Sequence, residues 1–259
     1  MTITFLGTGT SHGVPMIGCD CPTCRSEDPR DNRLRPSIHV QMDDGTSILV
    51  DAGPDLRQQA LRHRIGRVDA IVFTHGHADH ILGLDETRRF TGFKGPALRC
   101  HGDEATLADI RRMFAYVFDA ATPRGGGLPN LELVTIDGAF RIGAHEIVPV
   151  PLMHGSRPIL GLRFGRFAYL TDCNQIPEAS WGLLHNLDVV VLDALRERAH
   201  PTHFSLSEAV EAGRRIAATR TYFTHMCHDL PHAATNARLP AGMELAYDGL
   251  ALHADSQVP

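Results

Sequence analysis

The sequence predicts an α/β protein of four layers, α/β/β/α, with two sheets packed face to face and helices outside. Three observations lead there. The chain runs mainly β, then mixed βα, then β, then mixed βα again, so its halves repeat one order. Apolar runs such as "VDAIVFTH" (68–75) and "LDVVVLDAL" (187–195) read as buried strands. Segments with helical spacing stand between strands in both halves, placed to cover the outer faces.

Taken in order, strands are expected at 2–7, 37–42 and 46–53, with "DDG" as the turn between the last two. Pro54 opens a helix over 54–64, since its fixed φ suits a first helical position. A strand at 68–75 leads into a helix over 79–90, then a strand at 97–102 and a helix over 103–118. "DAATPRGGGLPN" (119–130) is the strongest loop signal, with three glycines and two prolines. Strands follow at 131–136, 145–150, 159–164 and 166–172. A helix near 177–185 precedes the strand 187–195. Ser205, three residues before Glu208, caps a helix over 205–218. The strand 219–225 and a hairpin-like end over 243–253 complete the chain, expected as one unit over 1–259.

At 259 residues a compact fold buries most of its chain without staples. Apolar content of 43% and charged content of 21% are those of a soluble protein. A net charge of −5 argues against a general nucleic-acid or membrane-surface binder, which would be basic. No apolar stretch is long enough to span a bilayer, and the N-terminus lacks the basic and apolar regions of a signal peptide. A cytoplasmic protein is therefore expected, in which six cysteines are thiols or metal ligands rather than disulfides. The unusual count is histidine, at 16.

Six of the chain's residues carry the first signal: His75-Gly-His77-Ala-Asp79-His80, between an apolar strand and a helix. In an extended turn residues two apart point the same way, so His75 and His77 can share one metal. Asp79 and His80 reach the other side and can take a second. Imidazole suits Zn, Mn, Fe and Ni, and the carboxylate compensates charge. Two coordination shells need further ligands. His154, Asp172 and His225 each stand at the end of an expected strand, where open sheets expose function.

A second cluster, "GCDCPTCR", places Cys19, Cys21 and Cys24 in one short loop. Three thiolates so close favour a closed structural Zn²⁺ site with a fourth ligand elsewhere. Cys100, Cys173, Cys227 and His228 are the candidates that spacing leaves open. A third feature, "AHPTHFSLSEAV", sets His200 and His203 just before a helix. His12, in "TSHGVP", lies in a loop that would approach the site, with no motif to assign it a role.

With these residues in place, the sequence resembles the metallo-β-lactamase superfamily. Its signature is H-x-H-x-D-H followed by His, Asp and His, in this order and over essentially the whole chain. The resemblance implies the αββα sandwich. It also implies that His75, His77 and His154 bind one metal, that Asp79, His80 and His225 bind another, and that Asp172 bridges. Asp51 of "LVDAG" matches the family's first motif, an aspartate that orients a ligand. Two divalent ions, Mn or Zn, would then hold a bridging hydroxide that attacks the substrate.

"LGTGTSHGVPMIGCDCPTC" and "THMCHDLPHAATNARLPAGMELAYDG" look like the PhnP-type branch, whose namesake is a cyclic phosphodiesterase of the phosphonate (carbon–phosphorus lyase) pathway. That likeness implies His228 as the fourth zinc ligand and His203, rather than His200, as the catalytic histidine. Near neutral pH an imidazole can serve as a proton donor to the leaving oxygen or as a cation for phosphoryl oxygens. Cys173, after Asp172, reads as a buried free thiol.

The expected function is hydrolysis of small, cyclic ribose or nucleotide phosphodiesters, with no membrane or nucleic-acid partner and a homodimer as the default assembly. A tRNA 3′-processing endonuclease shares the motif but carries an RNA-gripping arm, and no long basic insertion appears here. A pyrroloquinoline-quinone biosynthesis protein shares the glycine-rich start and a Cys cluster but lacks the complete two-metal motif. Flavodiiron-type proteins need a glutamate at position 77, and a non-catalytic metal-binding module would have no use for His203.

Overall fold

In a computed structural model, described over residues 1–91, 95–123 and 127–256, the chain forms two seven-stranded sheets. The first contains β1 (Thr2–Gly7), β2 (Ser37–Gln41), β3 (Ser47–Val50), β4 (Ala70–Val72), β5 (Leu98–Gly102), β6 (Leu131–Thr135) and the last strand, β14 (Ala251–His253). Its order is β14-β1-β2-β3-β4-β5-β6. The second contains β7 (Phe140–Ile142), β8 (His145–His154), β9 (Arg157–Phe164), β10 (Phe167–Leu170), β11 (Val189–Asp193), β12 (Arg220–Thr224) and β13 (Met243–Leu245), in the order β13-β12-β11-β10-β9-β8-β7.

The two sheets repeat one pairing scheme. Neighbours are antiparallel from β14 to β3 and parallel from β3 to β6. Likewise they are antiparallel from β7 to β10 and parallel from β10 to β13. The pseudo-twofold halves expected from the element order are these.

Burial explains why the central parallel strands are apolar. Val189 and Val191 face a core between the sheets, while Val190 and Leu192 face a second core under the helices. In the first sheet Ile48 and Val50 point between the sheets and Leu49 points outward into a third core. Three apolar layers separate four layers of structure, and the central strands β3, β4, β10 and β11 are buried on both faces. Each such Val or Leu contributes about 1.5–3 kcal/mol by leaving water. Helices α1 (Leu56–His63), α2 (Ala78–Ile81), α3 (Arg88–Thr91), α4 (Glu104–Met113) and α5 (Ala115–Phe118) follow strands of the first sheet; α6 (Glu178–Trp181), α7 (Leu206–Ile216) and α8 (His232–Asn236) follow strands of the second. The expected capping box at Ser205 and Glu208 is present at the start of α7.

Several expected elements differ. The helix over 79–90 is broken into α2, a 3₁₀ turn (Leu84–Thr87) and α3. The break falls at Gly83, where a Cβ would collide with the Gly53 carbonyl. The helix over 103–118 is interrupted at Phe114, which leaves helical geometry. Strand β8 runs on to His154 through Pro149 and Pro151, which spacing alone reads as an end. Those prolines are tolerated because β7 pairs only with residues 145–147, leaving that edge of β8 without a ladder partner beyond them.

The end of the chain is not a hairpin. β13 adds to β12 in the second sheet, and β14 adds to β1 in the first. Asp248 makes the crossing: its buried carboxylate accepts hydrogen bonds from the Thr8 N–H (2.9 Å), the Thr8 hydroxyl (2.8 Å) and the Leu34 N–H (2.8 Å). Strand β7 and helix α8 are additions. Of the loop 119–130, residues 124–126 lie outside the described residues; 119–123 and 127–130 are irregular. Among the described residues no helix is long and apolar enough to cross a membrane.

Candidate metal centre

The site lies where parallel strands end. Asp51 follows β3, His75 follows β4, Asp172 follows β10 and His225 follows β12. Asp51 (φ 61°), Asp172 (φ 60°) and His225 (φ 61°) all have left-handed backbones. That single turn ends each strand and directs its side chain into the gap between the sheets. A left-handed conformation costs a non-glycine residue free energy, and such residues cluster at functional sites.

His75 and His77 flank Gly76, and Asp79 and His80 sit on the single turn of α2. Gly53 fixes that turn: a Cβ there would collide with the Asp79 carbonyl, so the loop after β3 packs directly on the motif backbone. Asp51 fixes the side chains. Its carboxylate accepts from the Thr74 N–H and Thr74 hydroxyl (both 2.9 Å) and from His80 Nδ1 (2.7 Å). With Nδ1 so held, His80 Nε2 faces Asp172 Oδ2 at 3.2 Å.

Asp172 Oδ2 is the meeting point. His225 Nε2 approaches it at 3.1 Å, His80 Nε2 at 3.2 Å and His75 Nε2 at 3.8 Å. One donor atom from each of Asp79, His80, Asp172 and His225 falls within 4.8 Å of the others. The remaining histidines close the other side, with ring centroids 4.5 Å apart for His75–His77 and 5.0 Å for His77–His154. His154 Nδ1 is taken by the Thr202 carbonyl (2.9 Å), which leaves its Nε2 free.

These residues fit divalent metal. His75 Nε2 is buried with no hydrogen-bond partner, a costly arrangement unless a ligand occupies its lone pair. Burial holds the His75 imidazole far below its usual range, hence neutral, as a ligand must be. His80 goes the other way: burial opposes its charge, but the carboxylates of Asp172, Asp51 and Asp79 outweigh that and raise it well above the histidine range. The carboxylates thus demand a cation among them, and a divalent ion would meet that demand better than one proton. Burial works against charge on Asp172 too, yet His225 and His80 hold its carboxyl well below the usual range.

His203 stands beside this cluster, 8% exposed, its ring stacked on His225 at 4.7 Å and edge-on to His154 at 4.6 Å. Its Nδ1 meets Asp193 Oδ2 at 2.9 Å. Asp193 is the residue that sequence reading missed. It ends β11, is fully buried, and also lies 3.7 Å from His225 Nδ1 through its other oxygen. Burial pushes the Asp193 carboxyl well up and the His203 imidazole down. The signal was available: an acid ending the apolar run "LDVVVLD" is placed like Asp172 in "FAYLTD". His200 is 5.1 Å from the His203 ring but less buried, and His12 is exposed on its loop.

The cysteines gather elsewhere on the same loop system. Cys19, Cys21 and Cys24 place their Sγ atoms 3.2, 3.6 and 3.4 Å from His228 Nδ1. Tetrahedral zinc with ordinary Zn–S and Zn–N bonds would separate S and N by ~3.5 Å. Cys100 is buried under the helices of the first sheet, Cys173 in the second helix-side core, and Cys227 Sγ instead accepts the Asp229 N–H (3.3 Å). Arg33, buried completely, donates to the carbonyls of Cys227 (2.9 Å) and Leu230 (2.5 Å) and so fixes the segment on either side of His228.

Known proteins share this architecture. A model described as "Beta-lactamase superfamily domain" matches residues 46–226. A crystal structure reported as a new diphosphatase from the PhnP family is 45% identical, with a TM-score of 0.93, covering 100% of this chain and 99% of that one. Octanoyltransferase of Porphyromonas gingivalis (strain ATCC BAA-308 / W83) is 36% identical over 96% of this chain, which spans about half (51%) of that protein's length. Coenzyme PQQ synthesis protein B of Methylobacterium nodulans (strain LMG 21967 / CNCM I-2342 / ORS 2060) is 34% identical, covering 97% of this chain and 99% of that protein. From the match over residues 46–226, two mixed sheets flanked by helices, and His/Asp ligands at the strand ends, the chain belongs to the metallo-β-lactamase superfamily, and it is similar from end to end to the PhnP-type branch.

Proposed function

We propose that the chain is a metal-dependent phosphodiesterase acting on small phosphodiesters, cyclic ribose or nucleotide phosphates among them. The observation that carries this is the convergence of three imidazole Nε2 atoms on Asp172 Oδ2, with His203 beside them. In this reading His75, His77 and His154 hold one ion, Asp79, His80 and His225 hold the other, and Asp172 lies between them. When bound, two divalent ions, Zn or Mn, supply a nucleophile at neutral pH and a charge clamp on phosphoryl oxygens.

The chain's own residues do the rest. Asp51 keeps His80 Nε2 turned inward, and the Thr202 carbonyl does the same for His154. Asp193 anchors His203 Nδ1, so a proton on His203 Nε2 faces the cleft, where it can pass to the departing oxygen. A diester suits this arrangement, because one group leaves while the second stays attached to phosphorus.

The 45% identical structure named a diphosphatase favours a second reading on the same site, cleavage of a P–O–P bond in a diphosphate ester. One assay series separates the readings. Purified protein loaded with Mn²⁺ or Zn²⁺ should cleave bis(p-nitrophenyl) phosphate and cyclic nucleotide phosphates and leave p-nitrophenyl phosphate largely uncut. Turnover of sugar or nucleoside diphosphate esters with no diester cleavage would favour the second reading. Activity confined to phosphomonoesters, thioesters or lactams would sink both.

The Cys19, Cys21, Cys24 and His228 group is read as a structural zinc site. Cys21→Ser should remove one zinc equivalent and lower the melting temperature together. A full zinc complement with an unchanged melting temperature would remove the site from consideration.

A further inference from the structure

Most of the candidate ligands have an outer partner that fixes the ring: Asp51 for His80, the Thr202 carbonyl for His154, and the Thr74 hydroxyl, 3.1 Å from Nδ1, for His75. His225 Nδ1 has only Asp193 Oδ1 near it, at 3.7 Å, and His77 has no such neighbour. The half-buried His77 ring makes no hydrogen bond among the described residues and packs edge-on against His75 and His154. Something else must set its position.

Asp109, on α4, is placed to do so. Its carboxylate lies over Gly76, between the two histidines; a Cβ at position 76 would stand 2.6 Å from Asp109 Oδ2 and 3.0 Å from its Cβ. Gly76 and the Asp109 side chain thus share one tight contact, which a Cβ would displace. The same Oδ2 accepts from Arg157 Nη2 at 2.9 Å. Arg157 pairs with His154 across the tip of the β8–β9 hairpin. One carboxylate therefore touches the loop of His75 and His77, from the first sheet, and grips the hairpin of His154, from the second. A backbone bond from the Leu160 N–H to the Thr74 carbonyl (3.0 Å) ties the base of that loop, while Asp109 and Arg157 tie its tip. The bridge is partly shielded, with side chains 17% and 32% exposed.

We propose that Asp109 and Arg157 form a clamp that sets the three-histidine metal position by holding the Gly76 backbone against the His154 hairpin. In this role they are positioning residues, acting through the loop and the hairpin. The proposal rests on the metal assignment above but on no choice of substrate. Outer partners of metal ligands typically change affinity by about 10–100-fold when removed.

The test measures zinc in the full-length protein by retention after dialysis and by competition with a chromogenic chelator. Wild type should hold two equivalents beyond the cysteine-bound zinc. Asp109→Asn, which keeps the shape over Gly76, and Arg157→Ala should each weaken one of the two by about 10–100-fold and leave the other tight. Arg157→Lys should recover most of the loss. The metal-free melting temperature should stay close to wild type, since a partly exposed ion pair adds little to stability. Two tight equivalents in both variants, or equal weakening of both, would overturn the clamp. A wild type that binds no pair of ions would remove the metal assignment itself and the clamp with it.

Discussion

Asp172→Ala is expected to abolish phosphodiester turnover, by at least about 10³-fold in kcat/KM, without unfolding the protein. Its Oδ2 lies 3.8 Å from His75 Nε2, 3.2 Å from His80 Nε2 and 3.1 Å from His225 Nε2, and the residue is almost wholly buried. The neighbouring carboxylates are placed differently: Asp79 lies 3.5 Å from His80 and His225, and Asp51 is committed to His80 Nδ1 and Thr74. Removing it leaves buried nitrogens facing each other with no shared anion. Metal content should drop with activity when both are measured on one sample. Near-normal turnover at full metal loading would refute a bridging role.

His203→Ala is the second large effect, and it should look different. Both active-site metals should remain, because His203 is held through Asp193 rather than through the ligand set. The rate should fall by ~10²–10⁴, the usual worth of a positioned proton donor. The choice of substrate sharpens the test. A p-nitrophenolate leaves readily without a proton, whereas a ribose or alkyl oxygen does not. The loss should therefore be small with bis(p-nitrophenyl) phosphate and large with a cyclic nucleotide phosphate. An equal loss on both would assign His203 to charge on the phosphoryl oxygens instead of proton transfer.

How far the sequence reveals this depends on distance along the chain. His75, His77, Asp79 and His80 stand within six residues at a strand end, so strand periodicity and ligand chemistry point to one place. His154, Asp172 and His225 are legible for the same reason of placement. Asp193 shares that placement but passes for an ordinary strand terminus, because its partner His203 is ten residues on, beyond any local pattern. The end of the chain shows the same limit. Apolar alternation over 243–253 is the same for a hairpin and for a crossing between sheets. Asp248 decides the matter through Thr8 and Leu34, each more than 200 residues earlier. The Asp109–Arg157 bridge spans 48 residues and leaves only a glycine in the motif as its trace. Local physics writes strands and ligand clusters into short windows; pairings closed by tertiary contact leave almost nothing there.

The left-handed turns at Asp51, Asp172 and His225 have a bearing on which substitutions this scaffold tolerates. Apart from glycine, the residues most at ease in that backbone are Asn, Asp and His. Two of those three are also strong metal ligands. At these positions the demands of chain geometry and of coordination chemistry select nearly the same side chains. Exchange within that small alphabet can retune or silence the centre while the strands still end correctly. A β-branched residue would fail on the backbone before its chemistry mattered. In a saturation scan the three positions should divide cleanly, with folded but altered proteins inside the alphabet and misfolded ones outside it.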